Sequence, residues 1–314
     1  MIDEIPPVVS VVVTIDFAAG DPETWDELRV VLKALAEQDF AEPAEVLFVE
    51  FADAASDIPA GLTDILPTLR IHLADGEWDY DLIKRGVEVA QAEIVATIGA
   101  DCIPDHDWMR RLVAALRDNP DCAVVSGHTS YGPGSLFRRS MALLDRSYLH
   151  RDSPGPTTNL SNNNAGYRRS VYLKHPIGND VGPFGSRLQE KALLRDGCRF
   201  HYEPRMRVTH HFDGWRFERQ SRRHTGYVTI NQYHSDPGAG YAWAARTGYP
   251  AIPIVYALRV LASWCRCLRH HRGYRISWYE IPVTMVLAVL THALEIPGMV
   301  MAIQGRPVPQ TQFR

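Results

Sequence analysis

Four groups of polar side chains stand where they can do chemistry. Asp101, in the run TIGADCIPDHDW, follows a short β-branched segment and precedes a proline-limited turn, which puts its carboxylate at the end of a strand. A carboxylate there can hold a divalent cation whose other ligands are diphosphate oxygens and water. A turn aspartate capping the helix that starts near Asp105 reads the same way. Glu50, with Asp53 three residues on, ends another apolar run and can accept from a nucleobase N–H or a ribose hydroxyl, or stand as a solvated loop acid. In HYEPRMRVTHH, residues 201–211, a proline-led strand places Val208 and His210 on one face. A neutral imidazole at 210 suits a metal ion, and a structural histidine is the ordinary alternative. Residues 217–224, FERQSRRH, carry Arg219, Arg222, Arg223 and Gln220 within about two helical turns. Planar guanidinium groups suit bidentate phosphate contacts, although a solvated basic face would look alike.

The elements that must position these groups are written in the hydrophobic pattern. Residues 8–14, 45–51, 69–73, 93–98 and 122–126 are short β-branched runs and read as strands. Between them, Trp25, Leu28, Val31, Leu32 and Leu35 recur at three and four behind Asp21-Pro22-Glu23, a helix start with a cap residue, proline and acid in the first turn. Ile83, Val87 and Ala90 form a second helical face, and Trp108, Leu112, Ala115 and Leu116 a third. Strands alternating with helices predict an α/β fold with a mainly parallel sheet flanked by helices and ligands at the carboxyl ends of its strands. Residues 132–164 loosen into Gly, Pro, Ser and Asn and read as a substrate-facing loop. A helix near 189–195 and a strand near 199–202 follow.

Beyond about residue 240 the character changes to two apolar segments, 252–268 and 281–303, separated by the basic run RHHRGYR. The first contains Arg259 and Arg266 and the second His292, Glu295 and Pro297, each costly in hydrocarbon. A helical pair lying in a membrane interface fits this pattern, and a helical hairpin packed on a soluble domain is the alternative. The expected division is therefore residues 1–240 and a membrane-associating helical segment, 241–314.

Composition removes whole classes of function. The 314 residues carry 33 Lys+Arg against 37 Asp+Glu, a net charge of −4 that gives no basic field for nucleic acid. Five irregularly spaced cysteines are no disulfide framework, and the acidic start MIDEIPP lacks the shape of a signal peptide, so a reducing, cytoplasmic compartment is expected. TIDFAAGD, after the first strand, has no GxGxxG, which argues against a dinucleotide oxidoreductase.

In this order the segments resemble the family 2 glycosyltransferases of the GT-A fold, from Val8 to about Gly305. TWDELRVVLKALAEQDF is similar to the family's first helix, and VLFVEFAD to its second strand with an acid near the base. GVEVAQAEIVATIGADCIPDHDW resembles the segment carrying the metal-binding DxD. NNNAGYRRSVY resembles an acceptor-side segment, DGCRFHYEPRMRVTHH the stretch that supplies a metal-ligand histidine, and ALEIPGMVMAIQG the tail of membrane-associated members.

The resemblance implies inverting transfer from a nucleotide-diphospho-sugar to a glycan or lipid-linked acceptor, in cell-envelope or exopolysaccharide assembly at the inner face of the cell membrane. It implies Mg²⁺ or Mn²⁺ on Asp101 and His210. Thr14, Asp16, Glu50, Lys84, Asp101, Arg222 and Arg223 would serve the donor, and Asn163, Asn164 and Arg168 the acceptor. Two departures stand out. Gly99 occupies the place of the first DxD acid, and the acidic pair that contains the catalytic base falls on Gly185 and Ser186. Glu190 is the expected substitute base, with Asp180 second. A non-catalytic descendant that only binds a nucleotide-sugar or a partner at the membrane is the rival reading. Gln220, Arg223 and His224 only partly echo the QxxRW of processive members.

Overall fold

The computed structural model describes residues 5–15, 22–76, 79–178, 185–212, 214–235 and 242–307. In chain order its elements are β1 (Val9–Thr14), α1 (Pro22–Ala36), β2 (Ala44–Phe51), α2 (Leu62–Ile65), β3 (Leu69–Ala74), α3 (Asp79–Val89), β4 (Ile94–Gly99), β5 (Cys102–Pro104), α4 (Trp108–Asp118) and β6 (Cys122–Ser130). There follow α5 (Leu136–Arg146), β7 (Gly155–Thr157), β8 (Ala165–Arg168), α6 (Arg169–Lys174), α7 (Gly185–Arg195), β9 (Arg199–His210), α8 (Gly214–Ser235), α9 (Ala242–Thr247), α10 (Ala251–His270), α11 (Ile281–Ala293) and α12 (Ile296–Ile303). The described residues divide into two compact units, the first within residues 5–129 and 149–211, the second within 130–148 and 212–307.

The first unit is an α/β layer. Its sheet runs β3-β2-β1-β4-β8-β6-β9-β5, with β7 beside β9. β1 is VSVVVT and is buried along its whole length. Side chains alternate across it: Val9, Val11 and Val13 pack with Leu28, Leu32, Trp108 and Leu112 on one face. Val12 packs with Leu82, Ile83, Val87 and Tyr167 on the other. The expected α1 stripe of Trp25, Leu28, Val31, Leu32 and Leu35 lies wholly in the first layer. Pairing is parallel from β3 through β2 and β1 to β4, but β8 runs antiparallel to β4 and β6, and β5 and β7 antiparallel to β9. The sheet is therefore mixed: parallel from β3 to β4, where helical crossovers link the strands, with antiparallel pairs beyond β4, where β5 pairs with β9 and not with β4.

Two local expectations change. Residues 132–164 are not all loop: Ser135 accepts from the backbone N–H of Arg138 and caps α5, which buries Met141, Leu143 and Leu144. The strand expected near 199–202 and the proline-led strand expected to carry Val208 and His210 are one strand, β9, with Phe200, Tyr202, Met206, Val208 and His210 buried and Pro204 lying between the residues that pair with β7 and those that pair with β5.

The second unit is helical. The apolar segment 281–303 is broken between α11 and α12, ahead of Pro297. The expected boundary at residue 240 falls inside this unit, because α8 is held against α12 by glycine contacts. A Cβ on Gly298 would stand 1.8 Å from the carbonyl oxygen of Arg223, and one on Gly226 1.9 Å from that of Glu295. Charges inside the unit are paired: Arg222 contacts the carboxylates of Glu218, Asp145 and Glu295. Glu295 Oε1 also accepts from Arg259 Nη2 at 3.1 Å and stands 2.9 Å from His292 Nδ1. Burial pushes the Glu295 carboxyl up, but Arg259, His292 and Arg222 outweigh it and hold it at about 2.

Candidate functional site in the first unit

The parallel half of the sheet brings three strand ends to one level. Thr14 at the end of β1 is in register with Val49 of β2 and Gly99 of β4, and Ala100 N–H donates to the Thr14 carbonyl at 2.8 Å. Glu50, next along β2, is fully buried, and its Oε1 accepts from the N–H of Phe51 at 2.8 Å. This is the edge where an open α/β sheet takes ligands.

The chain then turns at Asp101 into β5, which pairs antiparallel with the end of β9 so that Cys102 stands opposite His210. That pairing joins two segments about a hundred residues apart, with the Asp101 carbonyl accepting from His211 N–H at 2.7 Å. Asp101 Oδ2 lies 3.3 Å from His210 Nε2, and Cys102 Sγ donates to Asp101 Oδ1 at 3.2 Å. His210 Nδ1 sits 2.6 Å from the carbonyl oxygen of His211. A carbonyl only accepts, so Nδ1 carries the hydrogen and Nε2 is the nitrogen aimed at the carboxylate. All three side chains are buried, and one ligand atom from each lies within 4.8 Å of the others. Carboxylate oxygen, imidazole nitrogen and thiol sulfur are each metal-ligand types, so this donor set fits a divalent cation.

Glu190 lies on α7 in the same unit and is buried. Its oxygens accept from Arg187 Nη1 at 2.9 and 3.0 Å and from Leu160 N–H at 3.2 Å. Burial raises its carboxyl above the ordinary range, against the pull of Arg187. Asp16 and Asp180 lie outside the described residues.

Other expected site residues have structural work. Asn164 is fully buried; its amide donates to the carbonyls of His128 and Met206 and accepts from the Trp108 indole, tying β6, β9 and α4 together. Arg168 donates to the carbonyls of Cys122, Leu116 and Pro120, closing the end of α4. Neither presents its polar group to an acceptor here, whereas Asn163 is half-buried beside them. Lys84 stands on the exposed face of α3, 4.0 Å from Glu88. Arg222 is spent on buried carboxylates of the second unit, and Arg223 is exposed beside Met301 Sδ. Phosphate recognition was expected from both, but of the partners that commit Arg222 only Glu218 is near in sequence, and Asp145 and Glu295 are remote.

Cys102 was not singled out by sequence. Its only available signal was its place beside Asp101 at the start of a strand able to pair with the segment ending at His210. A histidine pair was also missed: His128 Nδ1 lies 3.3 Å from both His150 Nδ1 and the Tyr202 hydroxyl.

Residues 22–175 match the family model for glycosyl transferase family 2. No curated protein matches the chain. Among solved structures it is similar to the mannosyltransferase PcManGT from Pyrobaculum calidifontis, determined in complex with GDP-Man and Mn²⁺, at 16% identity over 97% of this chain and 89% of that one, with a TM-score of 0.60. It also matches S. aureus TarS 1-349 at 13% identity over 95% of this chain and 90% of that one, with a TM-score of 0.49.

Proposed function

Because residues 22–175 match the family model for glycosyl transferase family 2 and the chain shares the fold of a solved glycosyltransferase, we propose that it moves a sugar from a nucleotide-diphospho-sugar to an acceptor hydroxyl with inversion, at the strand ends that carry Thr14, Glu50 and Asp101. The observation that carries this reading is the pairing of Asp101 with a His210 whose Nε2 is aimed at it, brought together by the β5–β9 register. The P. calidifontis mannosyltransferase, of similar fold, is described with GDP-Man and Mn²⁺, which supports a nucleotide-sugar donor and a divalent cation here. Asp101 and His210 would hold Mg²⁺ or Mn²⁺, which when bound offsets the charge of the departing diphosphate. Glu50 accepts from the base or ribose. As the acceptor oxygen bonds to the anomeric carbon and the bond to diphosphate breaks, Glu190 takes the hydroxyl proton. Its burial suits it to that exchange, and Arg187 keeps its oxygens in place.

The helical unit supports a membrane-proximal acceptor. α10 and α11 bury one apolar face, with Ile252, Val255, Cys267 and Ala288 inside, and carry a second apolar face that is exposed. Ser263, Thr284, Thr291 and His292 are buried, while Ile254, Leu258, Leu261, Leu268, Val283, Val286 and Leu290 are exposed. Trp278 and Tyr279 stand exposed at the start of the second apolar segment, and the basic turn of Arg269, His270, His271 and Arg272 lies between the two. Both stretches, Ala251–His270 and Trp278–Ile303, are long and apolar enough to cross a membrane. The paired charges on their inner faces favour a unit that lies in the interface on the cytoplasmic side. A lipid-linked acceptor in cell-envelope glycan assembly follows.

Calorimetric titration with UDP, GDP and their sugar conjugates, with and without Mn²⁺, tests the donor site. Binding near the micromolar range that strengthens with the cation is expected. A folded protein that binds none of them would overturn the reading and leave the non-catalytic alternative.

A further inference from the structure

The missing acid at position 99 and the thiol at position 102 belong to one piece of geometry. A Cβ built on Gly99 would lie 2.6 Å from Asp101 Oδ1 and 3.6 Å from Cys102 Sγ. The carboxylate of Asp101 therefore occupies space that a side chain at 99 would need, and the thiol borders it. Cys102 is also the cross-strand partner of His210, so its side chain and the imidazole project to the same face of the β5–β9 ribbon. It is fully buried, with Sγ 3.2 Å from one oxygen of Asp101, while His210 Nε2 lies 3.3 Å from the other. Ligands about 2.1–2.3 Å from a tetrahedral metal stand roughly 3.5 Å from one another; the sulfur and the imidazole each lie about that far from one oxygen of the Asp101 carboxylate, and one ligand atom from each of the three residues lies within 4.8 Å of the others.

We propose that Cys102 is the third protein ligand of the cation, replacing the carboxylate that Gly99 removed, and that the site is thereby turned from an all-oxygen-and-nitrogen cradle into an Asp-Cys-His one. On binding, the thiol proton now directed at Asp101 leaves to solvent and the sulfur bonds the metal. The consequence is selectivity: a thiolate disfavours Mg²⁺ and favours Zn²⁺ and Co²⁺, with Mn²⁺ between them. The inference rests on the reading that Asp101 and His210 hold the donor's cation, and it adds the identity of the third donor.

The test is spectroscopic and uses the full chain. Loaded with Co²⁺, the wild type shows a sulfur-to-cobalt charge-transfer band that Cys102→Ser loses, and the serine variant binds Zn²⁺ at least about tenfold more weakly. Zn K-edge absorption of the wild type, which depends on no variant, shows a sulfur neighbour at about 2.3 Å. A wild type that binds Co²⁺ through Asp101 and His210 with no charge-transfer band, and Zn²⁺ with only nitrogen and oxygen neighbours, would refute the cysteine ligand and leave the cation site standing. If equilibrium dialysis finds neither ion bound, with or without GDP or UDP, the cation reading fails and this one with it.

Discussion

Replacing Gly298 by alanine puts a methyl group into a helix contact with no room for it. The new Cβ would lie 1.8 Å from the Arg223 carbonyl oxygen and 2.6 Å from the Tyr227 nitrogen. Both are main-chain atoms of α8, so no side-chain rotation relieves the clash. Ordinary contact is about 3.5 Å, so α12 must withdraw by roughly 1.5 Å. The withdrawal also pulls at Glu295, one turn earlier, whose carboxylate holds Arg222, Arg259 and His292. Overpacking of this kind costs about 1–3 kcal/mol, and breaking a buried ion pair about 3–5. Alanine's better helix propensity returns about 1 kcal/mol. With the pairs stretched but kept, the overpacking at the upper end of its range less the propensity gain leaves an expected net loss of about 1–2 kcal/mol, which moves a urea midpoint down by roughly 0.5 M or more. The assay is urea unfolding followed by tryptophan fluorescence, with Ala257→Gly on the exposed face of α10 as the control for propensity alone. Gly226→Ala should act in the same direction, and the double variant should lose less than the sum because both open one gap. A Gly298→Ala protein with the parent's midpoint would refute the close approach of α8 and α12.

Three further outcomes follow from the structure. Glu190→Gln should lower kcat by about 10²–10⁴-fold with little change in KM for the donor, measured by sugar transfer; a full-rate variant would remove Glu190 as base. Burial, with His150 and Arg207, holds His128 down at about 3, far below its unfolded value. Its contribution is therefore present above about pH 6.5 and is lost as pH falls toward 3, by about 1.4 kcal/mol per pH unit. His128→Gln should flatten the acid limb of unfolding free energy against pH, and an unchanged slope would contradict this. Finally, Leu261→Glu with Val286→Glu, both on exposed faces, should abolish co-sedimentation with anionic phosphatidylglycerol vesicles while leaving the melting temperature unchanged. Retained binding, or no binding by the parent, would overturn the membrane surface.

Much of this was legible in the sequence because the physics involved is local. The four parallel strands are β-branched runs of six to eight residues, and alternation along β9 put Val208 and His210 on one buried face. Asp101 was legible as a strand-end acid for the same reason. What stayed hidden depends on partners far along the chain. Arg222 has the residue type of a phosphate ligand; Glu218, one turn before it, was a local hint of an ion pair, but Asp145 and Glu295, 77 and 73 residues away, complete the cluster that makes it a buried structural charge. A cysteine between Asp101 and Ile103 carries no message until the register sets it opposite His210. α5 was masked by the Gly- and Pro-rich residues around it, although Ser135 is an ordinary cap. Which apolar residues of α10 and α11 are buried, such as Val255 and Ala288, and which are exposed, such as Leu261 and Val286, also escapes a sequence reading, since their types are the same.

The most direct measurement is the cation dependence of nucleotide binding in the wild type, Asp101→Asn and His210→Ala, taken by calorimetry with GDP and UDP over a series of Mn²⁺ concentrations. The account predicts that Mn²⁺ tightens binding of one nucleotide by tenfold or more, about 1.4 kcal/mol, in the wild type and has little effect in either variant. Equal enhancement by Mn²⁺ in all three proteins would contradict a donor site built on Asp101 and His210.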